Sequence, residues 1–121
     1  ATVVAIAGGV PLALKAAEEL SKDGFSIEVV DPRTLVPLDR DTIIDSVSKT
    51  GRVVVVDPAH QSCSAASEIS AIIAEEAFES LKAPILRVTT PDTHLPFFPN
   101  GEKALLPSKD RIISALKRLL N

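Results

Sequence analysis

Short apolar runs alternate along the chain with amphipathic stretches. Four near-continuous runs rich in Val and Ile stand out: Thr2–Ala7, Ser26–Val30, Arg52–Val56 and Ile85–Thr89. Runs without polar alternation predict strands covered on both faces, as in a parallel sheet. Between the first two, Val10, Leu14, Ala17 and Leu20 recur at helical spacing, and Gly24 supplies a stop. Ile43, Ile44 and Val47 form the apolar face of a second helix that Gly51 ends. Asp39 is placed to cap its N-terminus, with Leu38 packing on Ile43 as a hydrophobic staple. A third helix is predicted from about Ala65 to Leu81, with Ile69, Ile72, Ile73 and Ala77 inward and Pro84 separating it from the fourth strand. "TPDTHLPFFPNGEKALLP", with four prolines from Pro91 to Pro107, reads as a long loop. A last helix follows Ser108, turning Ile112, Leu116, Leu119 and Leu120 to the core.

The resulting order, β-α-β-α-β-α-β-loop-α, predicts an α/β fold: a three-layer α/β/α sandwich around a parallel sheet. Right-handed crossovers favour four strands in the order 2-1-3-4, with a switch point between strands one and three. "DPAHQSC", Asp57–Cys63, leaves the sheet at the carboxyl end of strand three, beside that point. Open α/β sheets usually place ligands there.

At 121 residues the chain reads as one domain, residues 1–121, large enough to bury roughly two-thirds of its unfolded surface. Apolar residues make up 45% and charged residues 24%, a globular balance. A net charge of −3 argues against nucleic acid, which needs a basic face. No apolar run is long enough to span a membrane, and no signal-peptide pattern opens the chain. The single cysteine cannot form an internal disulfide, which sets a reducing, cytoplasmic compartment as the expectation. There is no methionine, and "TVVAIAGG" reads as a buried strand from Thr2 onward. We therefore expect a piece of a longer polypeptide.

Several motifs carry candidate chemistry. Gly8 and Gly9 open the first helix, whose free N–H groups could hold an anion, but neither GxGxxG nor GxxxxGK[ST] is present. A tight turn that lets the helix approach the sheet is the better reading. Asp57, His60 and Cys63 could ligate a metal, yet only His94 remains as a further nitrogen ligand. "QSCSA" lacks the flanking glycines of a nucleophile elbow. Cys63 is expected at the first turn of helix three, mostly covered and acting as a small apolar residue. An aspartate ending strand three suggests a phosphoacceptor, but strand one ends in Ala-Gly-Gly and offers no acidic pair for magnesium. In "DPRTLVPLD", Arg33 is expected to pair with Asp31 or Asp39 and hold the loop's shape. In "HLPFFPNG", adjacent residues of an extended segment point opposite ways, so at most one of Phe97 and Phe98 is easily buried and the other suggests an interface.

Four segments together are specific: "D-x-R-T-L-x-P-L-D" at Asp31–Asp39, "K-T-G-R" at Lys49–Arg52, "F-x-x-L-x-A-P" at Phe78–Pro84 and "P-D-T-x-x-P-F" at Pro91–Phe97. With them the chain, over essentially its whole length, resembles the C-terminal domain of the β subunit of thiamin-diphosphate-dependent 2-oxo acid dehydrogenases, in the transketolase superfamily. At Gln61–Ala66 pyruvate and branched-chain members usually carry "GGxGAE". The "QSCSAASE" found here is closer to the acetoin dehydrogenase-like branch, which often has "RCSxA".

The resemblance implies an assembly role without catalysis of its own. In such enzymes thiamin diphosphate and magnesium lie between a pyrophosphate domain of the α subunit and a pyrimidine domain in the N-terminal half of the β subunit. The C-terminal domain buttresses subunit association and, in some members, helps dock the acyltransferase core. The implied partners are the α subunit and a second β subunit, in the cytoplasm or, for a eukaryotic source, the mitochondrial matrix. No cofactor is expected in this segment itself. Arg33, His60, Phe97 and Phe98 are the interface candidates, and "DPAHQSC" is expected to be a strand-to-helix turn facing a neighbouring domain. The competing expectation is a free-standing flavodoxin-like module binding a small anion at Gly8–Gly9 and His60.

Overall fold

The computed structural model describes residues 1–120. Its elements are β1 (Thr2–Ala5), α1 (Gly9–Lys22), β2 (Glu28–Val30), α2 (Arg40–Thr50), β3 (Val53–His60), α3 (Ala65–Glu76), β4 (Leu86–Thr90), α4 (Pro99–Leu105) and α5 (Lys109–Leu120). The strands form one sheet in the order β2-β1-β3-β4. Every pairing is parallel, with Val3 opposite Val29 and Val54, and Val56 opposite Val88. The expected topology is the observed one.

The uninterrupted valine runs follow from burial on both faces. Val3, Val54, Val56 and Val88 turn to one side and pack with Ala13, Ala16 and Leu20 of α1 and Ile112 and Leu116 of α5. Val4, Val53 and Val55 turn to the other and pack with Ile43 and Val47 of α2 and Ile69 and Ile73 of α3. A strand between two helical layers has no wet side, so neither parity of position can be polar. Burying such a side chain stabilises by about 1.5–3 kcal/mol. Thr2 is a polar exception. Its Oγ1 is completely buried but hydrogen-bonded to Ser46 and Thr50 at 2.8 Å each.

The predicted caps hold. Asp39 accepts the Thr42 backbone N–H at 3.1 Å, and Leu38 packs against the core that contains Ile43. Gly51 ends α2 in the left-handed conformation at φ 71°, where a side chain would be strained.

The structure corrects four local expectations. Leu14 is not on the buried face of α1: it is more than half exposed, while Gly9, Ala13, Ala16 and Leu20 face the sheet. Small residues on that stripe let the helix approach closely, which the spacing of large apolar residues does not reveal. Strand β3 runs past Val56 to His60, with a register shift between Asp57 and His60 that leaves Pro58 and Ala59 bulged. Helix α3 ends at Glu76 rather than Leu81, and a single 3-10 turn, Phe78–Ser80, follows. The proline-rich loop contains a helix, α4, because Pro99 sits at its first position, where the missing N–H costs nothing.

Candidate functional site on the carboxyl edge

In a parallel sheet the loops that follow all four strands emerge at the same edge. They are the β1–α1 turn, the Asp31–Asp39 loop, the turn from Gln61 to Ser64, and the loop from Pro91 to Phe98. Arg33, Cys63, His94, Phe97 and Phe98 lie on them, and Asp57 and His60 lie in the last residues of β3, beside them.

In the β1–α1 turn the anion reading meets its geometry. The Gly9 N–H donates to the Ile6 carbonyl at 2.9 Å and the Val10 N–H to Ala7 at 3.0 Å, while Pro11 has no N–H. The helix start therefore offers little to an anion. A Cβ on Gly9 would stand 2.9 Å from Cγ1 of Val56. This glycine is there for close packing of α1 on β3.

Arg33 pairs with Asp31: Nε lies 2.9 Å from Oδ2, and the Arg33 N–H donates to Oδ1 at 3.1 Å. Asp39 is instead engaged with Thr42. Arg33 adopts φ 63°, and its side chain is 85% exposed. It borders a cavity of about 420 Å³ with Ile6, Ala7, Val10 and Leu35. Val36, at the tip of this loop, is 93% exposed.

Asp57 is buried, and its carboxylate accepts the N–H groups of Ala59 at 2.9 Å and Ala66 at 3.0 Å. It caps α3 from within the sheet. His60 is exposed and donates from Nε2 to the Thr93 carbonyl at 2.9 Å. Next to it, Ser62 donates from its N–H and Oγ to Asp92 at 3.0 and 2.5 Å. These bonds hold the Asp92 carboxyl below the usual carboxylate range, the Ser62 hydroxyl contributing most and the nearby His60 less. Arg87 reaches over from β4 to the Gln61 carbonyl and the Ser67 hydroxyl. The turn is thus tied to β4 and to the loop beyond it.

Cys63 departs from expectation. It is exposed, two residues ahead of α3, at φ 55°. It lies in the turn ahead of the Ser64 N-cap and so is not part of the helix's packed face. Among the described residues no group of three or more His, Cys, Asp or Glu side chains converges to hold a metal. His94 is exposed on the next loop.

Phe97 is fully exposed and Phe98 is 58% exposed. Phe98 leans on α4, where a Cβ on Gly101 would stand 2.5 Å from its Cζ. Leu95 is also 40% exposed, and together with Pro96 and Pro99 these rings line an open groove of about 410 Å³. Neither ring enters the core.

A profile of the transketolase C-terminal domain matches residues 1–112. The chain belongs to that family. Among curated relatives in sequence, the β subunit of acetoin:2,6-dichlorophenolindophenol oxidoreductase from Bacillus subtilis is 44% identical over 98% of this chain. The pyruvate dehydrogenase E1 component β subunit from Leifsonia xyli is 49% identical over 99% of it. The chain spans only about a third of the length of these relatives, 35% of each. A solved family structure, a split-gene transketolase described as an inactive β4 tetramer, superposes with a TM-score of 0.78 at 25% identity. It covers 98% of this chain and 37% of that one. The superposition extends over nearly the whole chain, so the fold described above matches that of the solved relative.

The sequence reading named Arg33, His60, Phe97 and Phe98 but missed Asp92, Ser62 and Arg111. Asp92 lay within the quoted "P-D-T" segment, so a signal existed for it. Arg111 carried none, because it acts on this edge from the far end of the chain.

Proposed function

We propose that this chain is the assembly domain of the decarboxylating component of a thiamin-diphosphate-dependent 2-oxo acid or acetoin dehydrogenase. Its carboxyl edge docks on a second β subunit, and it has no catalytic residues of its own. One observation carries this reading: Phe97 and Phe98 stand in water side by side with the exposed Leu95, whereas the other exposed apolar residues, Leu14, Leu35, Val36 and Phe78, lie on other segments. Burying a phenylalanine stabilises by about 1.5–3 kcal/mol, so an aromatic pair left outside both cores is matched to a partner. The second copy is favoured as occupant by the β4 assembly of the solved relative. Arg33 and His60, exposed on neighbouring loops of the same edge, are the polar contacts expected at its rim.

The donor set of this chain does not fit thiamin diphosphate with magnesium. Among the described residues Asp57 is engaged in capping α3, Asp92 in holding Ser62, and Arg33 in pairing with Asp31. The cofactor belongs to the rest of the parent enzyme, with the α subunit as the further partner.

The test is a Phe97→Ser/Phe98→Ser variant of the full-length β subunit, studied by sedimentation with and without the α subunit. Self-association weakened tenfold or more, with an unchanged unfolding midpoint, supports the reading. Unchanged association of both kinds overturns it, and loss of α-subunit binding alone overturns the choice of occupant.

A further inference from the structure

One side chain gathers both ends of the aromatic loop. Arg111, in the first turn of α5, donates from Nη1 to the carbonyls of Leu105 at 3.0 Å and Leu106 at 3.1 Å. From Nη2 it donates to the Thr89 carbonyl at 2.7 Å. Thr89 lies at the end of β4, immediately before the loop, and Leu105 and Leu106 close α4, immediately after the aromatic pair. The last carbonyls of a helix have no partner within it, and a cation there is favoured by the helix dipole as well as by hydrogen bonding. A planar guanidinium can serve three divergent acceptors at once, whereas the ammonium of lysine is a single point on a flexible stem.

The near end of the same loop is tied separately. Asp92 holds Ser62 through both carboxylate oxygens, and the Thr93 carbonyl receives His60. Phe98 is braced against Gly101. Loops that carry exposed aromatic residues at the surface are ordinarily mobile, and ordering one on binding costs affinity. This loop is held before any partner arrives.

We propose that Arg111 is a positioning residue for docking: its guanidinium keeps the 91–106 segment folded, so that Phe97 and Phe98 are presented as a preformed surface. The inference rests on the docking role proposed above, and it adds the residue that sets the geometry of that surface without touching the partner.

The experiment uses the full-length β subunit with Arg111→Lys, which keeps the charge, and Arg111→Gln, which does not. Association is measured by sedimentation, amide hydrogen exchange by mass spectrometry, and global stability by denaturant titration. We expect association about tenfold weaker in both variants. Exchange should rise in segment 93–106 and stay unchanged in β1 and β3, and millimolar guanidinium should partly restore association of Arg111→Gln. Unchanged association overturns the proposal, as does weakened association with unchanged exchange in 93–106. A uniform rise of exchange across the fold also overturns it, since Arg111 would then be a general stabiliser. The Phe97→Ser/Phe98→Ser variant separates the two claims. If it weakens association and the Arg111 variants do not, only the positioning role falls. If it has no effect, the docking role falls first.

Discussion

The carboxylate of Asp57 accepts the backbone N–H of Ala66 at 3.0 Å, joining the end of β3 to the first turn of α3. An acidic residue beside a histidine and a cysteine invites a catalytic or metal reading, but here its oxygens serve backbone amides. The expected consequence is structural. Asp57→Ala leaves the N–H groups of Ala59 and Ala66 without their acceptor and should cost about 1–3 kcal/mol. Denaturant titration measures this directly. A loss below about 0.5 kcal/mol would show that the cap contributes little.

Gly9→Ala should destabilise by about 1–3 kcal/mol through overpacking, because the new Cβ meets Val56 at 2.9 Å. Gly8→Ala is the control, since a Cβ there meets nothing within 4 Å. Equal losses at the two positions would remove the close-approach argument for α1.

Asp92 gives a pH dependence with a defined sign. Its folded pKa is depressed, chiefly by the Ser62 hydroxyl and then by the Ser62 backbone N–H. The bond to Ser62 therefore contributes its full stability above the unfolded value of about 3.9 and loses it as pH falls through the lower folded value. A carboxyl-detected NMR titration should place Asp92 below a free aspartate, and Ser62→Ala should move it upward. A midpoint unmoved by Ser62→Ala would show that another group sets it.

Cys63, exposed and at φ 55°, should react stoichiometrically with a thiol reagent in the absence of denaturant. Cys63→Gly should be neutral or stabilise by up to about 1 kcal/mol, and Cys63→Val should destabilise by about 1–2 kcal/mol, because a β-branched residue resists positive φ. A thiol protected until unfolding would contradict the exposed turn.

What could be read along the chain was whatever the local pattern encodes. Valine runs without polar alternation, Asp39 before a helix and Gly51 after one each state a preference within a few residues of themselves. With the rule that crossovers are right-handed, those preferences favour the observed strand order, because a doubly covered parallel sheet buries both faces of β1 and β3. Arg33 was legible for the same reason: its partner, Asp31, lies two residues away.

Tertiary structure decided the rest. The phase of α1 depends on which stripe can approach Val56, so the sheet selects Gly9, Ala13 and Ala16 over the larger Leu14. Cys63 stands exposed in the turn that follows the irregular end of β3, where the pairing with β4 shifts register. Ser62 meets Asp92 across 30 residues of chain, and Arg111 meets Thr89 across 22. Such pairs leave no periodic trace, because the separation between partners is set by the elements that intervene and not by the residues that touch. Sequence by itself determined which segments become strands and helices and that their loops collect at one edge. Only the packed sheet, by bringing remote polar groups to hydrogen-bonding distance, decided how the loops at this edge are tied to one another.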